Sequence, residues 1–181
     1  MGITRLKYHD YGSDNWYFVT FCTQDREHFF GEIINDRSAP DLGERAQNFA
    51  HPHLHQTTVG QIAYQYWKEI PKHFPFVILD EFVIMPDHIH GLLYFDKPDY
   101  PYRIPRPNRF GPQSKNLASV IRGYKAAVKK YATVNNIPFA WQSRYHNYVV
   151  RTEGRLQIIR KYIRGNPSKW FEKKRSSKLL G

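Results

Sequence analysis

The amino-acid sequence predicts an α+β fold built on an antiparallel sheet. Two apolar, strand-like runs, 76–85 and 88–95, flank a tight Pro86-Asp87 turn, so they must pair as a hairpin. Two long amphipathic stretches, 57–73 and 114–133, have helical periodicity and are long enough to cover a sheet. The order strand, helix, strand, strand, helix, strand is that of a split βαβ, ferredoxin-like sandwich with helices on one face.

Each element has its own reason. Residues 16–23 alternate well enough for a first strand. Residues 31–56 are polar and irregular and read as an inserted, flexible loop. In 57–73, Thr57 or Thr58 can cap a helix whose stripe is Ile62, Tyr66, Trp67 and Ile70. Residues 96–114 read as a second insertion: a Pro-rich, extended linker carrying Arg103, Arg106 and Arg109. Ser114 can cap the next helix, whose basic residues are Lys115, Arg122, Lys125, Lys129 and Lys130. Residues 145–151 read as the fourth strand. Leu156, Ile159 and Ile163 then recur at helical spacing; Thr152 can start that helix, and Pro167 should end it at or before Asn166. A basic tail, 169–181, closes a chain that reads as a single domain over 1–181.

Composition narrows the partners. Lys plus Arg number 27 against 16 Asp plus Glu, a formal charge of +11, which favours a polyanion, nucleic acid first. No apolar run reaches spanning length and the N-terminus lacks a signal-peptide core, so no membrane role is expected and a bacterial-type cytoplasm is the natural compartment. The single cysteine, Cys22, excludes an internal disulfide and a cysteine zinc cluster, and reads as a small core residue. Aromatics make up 16% of the chain, enough to fill a core and still leave a few to stack on unpaired bases, with Trp141, Tyr145 and Tyr148 as candidates by position.

Two stretches carry chemistry. His88 and His90 sit two apart in a strand, so both imidazoles project from one face while Ile89 and Gly91 face the other way. Such a pair is either half of a metal site or two buried, hydrogen-bonded histidines. Tyr162 and Asn166 are four apart and share a helix face, so they offer a nucleophile and an oxygen ligand. The plainer reading is a half-buried tyrosine and an asparagine that caps the helix C-terminus. A rival cluster, His51, His53 and His55, falls in the expected loop beside Pro52, which would break a ladder there.

Taken in order, three motifs resemble a known family: Met85-Pro-Asp-His-Ile-His90, Trp141-Gln-Ser-Arg-Tyr145, and Tyr162-Ile-Arg-Gly-Asn-Pro-Ser-Lys-Trp170. The pattern is similar to the single-tyrosine HUH transposases, and most to their REP-associated branch (RAYT proteins), from about Asn15 to Trp170. The resemblance implies that His88, His90 and Asn166 bind a divalent metal and that Tyr162 attacks DNA to form a 5′-phosphotyrosine. Two nitrogens and an oxygen, with phosphate oxygens to follow, suit magnesium or manganese. It also implies a single-stranded DNA substrate beside a hairpin, cut and rejoined in transposition, and a monomer or homodimer. Arg122, Lys125, Lys129 and Lys130, with Arg103 and Arg106, are the expected backbone contacts. The alternatives are a hairpin-binding protein that has lost catalysis and a metal-dependent hydrolase that uses water.

Overall fold

The computed structural model describes residues 9–35, 52–98 and 114–179. The first strand, β1 (Trp16–Thr23), runs into a single 3-10 turn at Gln24–Arg26. There follow β2 (Gly31–Ile34), β3 (His53–Gln56), α1 (Thr58–His73), β4 (Val77–Met85), β5 (His88–Phe95), α2 (Leu117–Val134), β6 (Trp141–Val150), α3 (Glu153–Arg164) and α4 (Asn166–Leu179). Four strands form an antiparallel sheet in the order β4-β5-β1-β6. With α1 and α2 together on one face, this is the expected split βαβ sandwich.

Alternation along the strands sorts the two faces. Tyr17, Val19 and Phe21 of β1, with Ile89 and Leu93 of β5, are buried against Trp67 of α1 and Tyr124 and Val128 of α2. Trp16 and Phe18, one step out of phase, join Leu92 and Val150 on the other face, where Leu156, Ile159 and Ile163 of α3 complete a second, smaller core. The period of 2 in β1 therefore builds two layers, and the 3.6 period of α3 closes the second. A two-pronged ion pair from Arg160 to Asp80 ties α3 to β4.

Helix ends follow local chemistry. Thr57 caps α1 by accepting from the Gly60 N–H at 3.1 Å. In α2 the cap is Asn116 rather than Ser114: its side chain accepts from Ser119 N–H, and the Ser119 hydroxyl accepts from Asn116 N–H. Strand β6 starts four residues before the expected position, at Trp141, because that indole and its neighbours Phe21, Phe30 and Phe139 form one aromatic cluster.

The loop expected at 31–56 is corrected. The ends of 31–56 are paired strands: Ile33 is buried opposite Leu54, and Pro52 falls just before the ladder instead of inside it. Residues 36–51, His51 among them, lie outside the described residues. The basic tail is helical through Leu179, since Pro167 takes the first turn of α4, where its missing N–H costs nothing. Helix α4 packs against β2 and β3, so the insertion supports the segment that follows Tyr162.

Candidate active site

Strand β5 delivers His88 and His90 to the face covered by α3, each only 6% exposed. Their Nε2 atoms converge to 3.1 Å. Each Nδ1 has its own partner: Asp87 Oδ1 at 2.5 Å for His88, and Thr20 Oγ1 at 2.7 Å for His90. Tyr162, on α3, places its phenol oxygen 3.2 Å from His90 Nε2. Its ring stands edge-on to Phe18, which in turn stacks on His90. The structure thus brings together three of the four residues singled out in sequence, although 72 positions separate Tyr162 from His90. The fourth, Asn166, is buried at the first position of α4. It is not the cap of α3, a place taken by Gly165.

The protonation pattern suits a cation. Burial would raise the Asp87 carboxyl, but the hydrogen bond from His88 and the neighbouring positive charge, Arg26 included, more than offset it and hold it below its ordinary value. An ionised Asp87 only accepts, so His88 keeps its proton on Nδ1 and presents a bare lone pair at Nε2. His90 is held neutral, its pKa lowered to about 3 by burial, then by His88 and Arg26, against the pull of Asp87. The Thr20 hydroxyl can accept from Nδ1–H of His90, which frees its Nε2 as well. Two ligands about 2.1 Å from one octahedral ion and at right angles are about 3 Å apart, so the imidazole pair fits a small divalent metal. Among the described residues no three His, Cys, Asp or Glu side chains form a metal cluster. A third protein donor would therefore be an amide or a phenol, the types offered by Asn166 and Tyr162.

The lowered pKa of His90 predicts a pH effect. The unfolded chain binds a proton near pH 6.5 that the folded chain refuses until about pH 3. Stability is therefore full above pH 6.5 and falls as the pH drops through that window, by as much as a few kcal/mol. Thermal melts of the metal-free protein from pH 7 to pH 4 should show this fall, and His90→Gln should flatten it. Equal slopes for the two proteins would count against a neutral, buried His90.

Other expected contacts fare differently. Arg103 and Arg106 lie outside the described residues. Arg122 and Lys130 are exposed on α2. Lys125 donates to the Gln142 carbonyl beside the Trp141 ring, and Lys129 donates to the Phe139 carbonyl. These two lysines tie α2 to β6 and to the segment just before it, a use that a charge pattern cannot reveal. The basic helix also lies across the sheet from Tyr162, so it does not flank the site. Trp141 and Tyr145 belong to the core on the α2 side. Tyr148 sits opposite Phe18, on the face of His90, and is 47% exposed under the Arg155 guanidinium. Near the phenol the cation is Lys169 of α4, 5.6 Å from the Tyr162 ring centre. Trp170 packs against His88. Asp87, Thr20 and Trp170 had no assigned role in the sequence; Asp87 adjoins His88 in the chain, whereas Thr20 needs the strand register to be seen.

Fold and site together define a ferredoxin-like α+β protein with an imidazole pair and a phenol on one sheet face. No protein-family model matches the chain. It is 33% identical over 175 residues to an uncharacterized protein of Haemophilus influenzae, an alignment that spans 92% of this chain and 87% of that one. The chain belongs to the family of that Haemophilus protein. Its fold is also that of a REP-associated tyrosine transposase solved bound to a REP hairpin, with a TM-score of 0.53 and 15% identity over 93% of this chain and 74% of the other.

Proposed function

We propose that this protein is a transposase-type enzyme that cuts and rejoins single-stranded DNA through a 5′-phosphotyrosine, acting beside hairpins as the REP-associated branch does. The observation that carries this reading is the convergence of one phenol oxygen and two imidazole Nε2 atoms within 3.2 Å steps on a single sheet face. A structural histidine pair would not need an attacking group poised over it. The solved transposase of the same fold, bound to a REP hairpin, supports the substrate class, and the charge of +11 supports a polyanion.

In this mechanism His88, His90 and Asn166 would hold magnesium or manganese. The ion would polarise the scissile phosphate and offset the charge that develops on it. Tyr162 supplies the nucleophile: its oxygen gives up its proton and bonds to phosphorus, the bond from phosphorus to the 3′-oxygen breaks, and that oxygen leaves as a hydroxyl after taking up a proton, so that the net transfer is of one proton from the phenol to the 3′-oxygen. The phosphotyrosine keeps the bond energy, so a second 3′-hydroxyl can reverse the step and join strands without ATP. Lys169, beside the phenol ring, suits a backbone phosphate. Tyr148, exposed under Arg155, suits an unpaired base. The Haemophilus relative supports a bacterial setting.

The test is a hairpin oligonucleotide with a single-stranded flank, labelled at either end and incubated with manganese. A covalent protein adduct should retain the 3′-end label and never the 5′-end label. Cleavage that frees both labels would mean attack by water, and binding without cleavage would mean a catalytically silent relative.

Binding should also depend strongly on salt. If four phosphates are neutralised, affinity should fall roughly a hundredfold between 50 and 200 mM salt. Titrations of flanked hairpin, plain single strand and duplex should rank the flanked hairpin first. Equal affinities for all three would refute the hairpin assignment.

A further inference from the structure

We propose that Arg26 is a positioning residue of the metal site: held in a left-handed turn, it locks the Asp87 carboxylate so that His88 presents Nε2 to the ion. This rests on the metal reading of His88 and His90 given above.

The turn after β1 is unusual in its backbone. Asp25 and Arg26 both have positive φ, 51° and 60°, a region that non-glycine residues rarely occupy, and two in succession are costly unless the surroundings fix them. The surroundings do. Thr23, fully buried, donates its N–H to the Asp87 carbonyl at 2.9 Å, and its hydroxyl lies 2.9 Å from that carbonyl and 2.7 Å from that of Glu27. Phe30 N–H donates to the Pro86 carbonyl at 3.1 Å. The segment 23–30 is thus bound to the Pro86-Asp87 turn, just before the first histidine.

The strained conformation aims one side chain. Arg26 Nε lies 2.7 Å from Asp87 Oδ2, while Asp87 Oδ1 is taken by His88 Nδ1. A guanidinium nitrogen also meets Cys22 Sγ at 2.7 Å, and Cys22 is the register partner of His88 across β1 and β5. Both carboxylate oxygens are therefore committed, and the carboxylate plane, which decides where Oδ1 points, is set by Arg26. Fixing Oδ1 fixes the proton on Nδ1 and the ring angle of His88. A guanidinium suits this task because its donors are held in a rigid fork, whereas an ammonium is a mobile point charge.

The test uses the full chain. Arg26→Gly removes the fork while supplying the residue that tolerates the observed φ, so the turn itself is not put at risk. Two readouts are taken: the His88 tautomer in the metal-free protein, by nitrogen-15 NMR of the imidazole, and manganese affinity by calorimetry. The wild type should show a single Nδ1–H tautomer at His88. Arg26→Gly should give a mixture of tautomers and a manganese affinity weaker by tenfold or more, the usual effect of losing a group that orients a ligand. Arg26→Lys should recover part of the loss. Asp87→Asn should lose as much as Arg26→Gly, and the double variant should be no worse than the weaker single one. An unchanged tautomer and affinity in Arg26→Gly, or additive losses in the double variant, would overturn the proposal. If the wild type binds no manganese, the metal reading of the site fails, and the tautomer comparison still decides whether Arg26 orients His88.

Discussion

Tyr162→Phe is expected to abolish the covalent DNA adduct and to lower cleavage by on the order of a thousandfold or more, while hairpin binding stays within about twofold. The substitution removes one oxygen. That oxygen is 3.2 Å from His90 Nε2, and it is the only atom of the ring with nucleophilic chemistry. Everything else about the side chain survives: the edge-on contacts to Phe18 and His90 belong to the ring, and the residue is 39% exposed, so no cavity opens. Loss of a half-exposed hydrogen bond should cost stability about 1 kcal/mol or less. Activity and stability therefore separate, which a residue serving only to pack would not allow. The measurement is a denaturing gel of labelled oligonucleotide, run beside a thermal melt. Cleavage that persists in the variant would move the nucleophile elsewhere. Tyr148 is then the next tyrosine to test, since it shares the sheet face of His90, whereas Tyr145 faces the core under α2.

The parts legible in the sequence were those governed by a short period. A two-residue repeat placed His88 and His90 on one face, and a 3.6-residue repeat placed Tyr162 on the helix of Leu156, Ile159 and Ile163, whereas Asn166, expected one turn further along that helix, opens α4 instead because α3 ends at Arg164. What periodicity could not supply was which sheet face α3 would choose. That choice depends on Leu92, Val150 and Phe18 forming a second apolar surface from three different strands, and before the structure only the motif order pointed to it. Residues that act through pairing were invisible for the same reason. Thr20 meets His90 because β1 and β5 are antiparallel in one register, and nothing around Thr20 in sequence marks it. The β2–β3 pair was missed because each short strand contributes few apolar side chains, Ile33 and Leu54 facing each other, too few for a pattern. Charge alone did not show that Lys125 and Lys129 of α2 donate to the Gln142 and Phe139 carbonyls. Helix α4 lacked an apolar stripe, and its Pro167 read as a stop when it was also a start.

Gly91→Ala should strongly damage the fold, and the damage should reach the site. Gly91 lies between His90 and Leu92 in β5, on the face that receives α1. A Cβ at this position would stand 2.2 Å from Cζ2 and 2.4 Å from Cη2 of Trp67. The indole has no space to retreat: Trp67 is fully buried, stacked between Phe21 and Phe82 and edge-on to Tyr124. Either the indole leaves its rotamer or α1 lifts from the sheet, and overpacking of this kind costs roughly 3 kcal/mol. For a chain of this size that corresponds to a fall in melting temperature of ~10 °C. Because β5 carries His90 on its other face, a shift of the strand away from α1 pushes the imidazole toward Tyr162, so cleavage per folded molecule should fall too. Gly154→Ala is the control: nothing lies within 4 Å of its added Cβ, and it sits in the first turn of α3. There alanine should be neutral or stabilising by up to about 1 kcal/mol. Relief of the clash gives a further check. Shrinking the indole in Gly91→Ala/Trp67→Leu should lose less stability than the sum of the two single changes, because the added methyl then occupies space that the smaller side chain has vacated. Losses that simply add, or a Gly91→Ala protein that melts like the wild type, would show that the indole is not fixed over β5. The rigid backing assumed here for the histidine strand would then have to come from α2 instead.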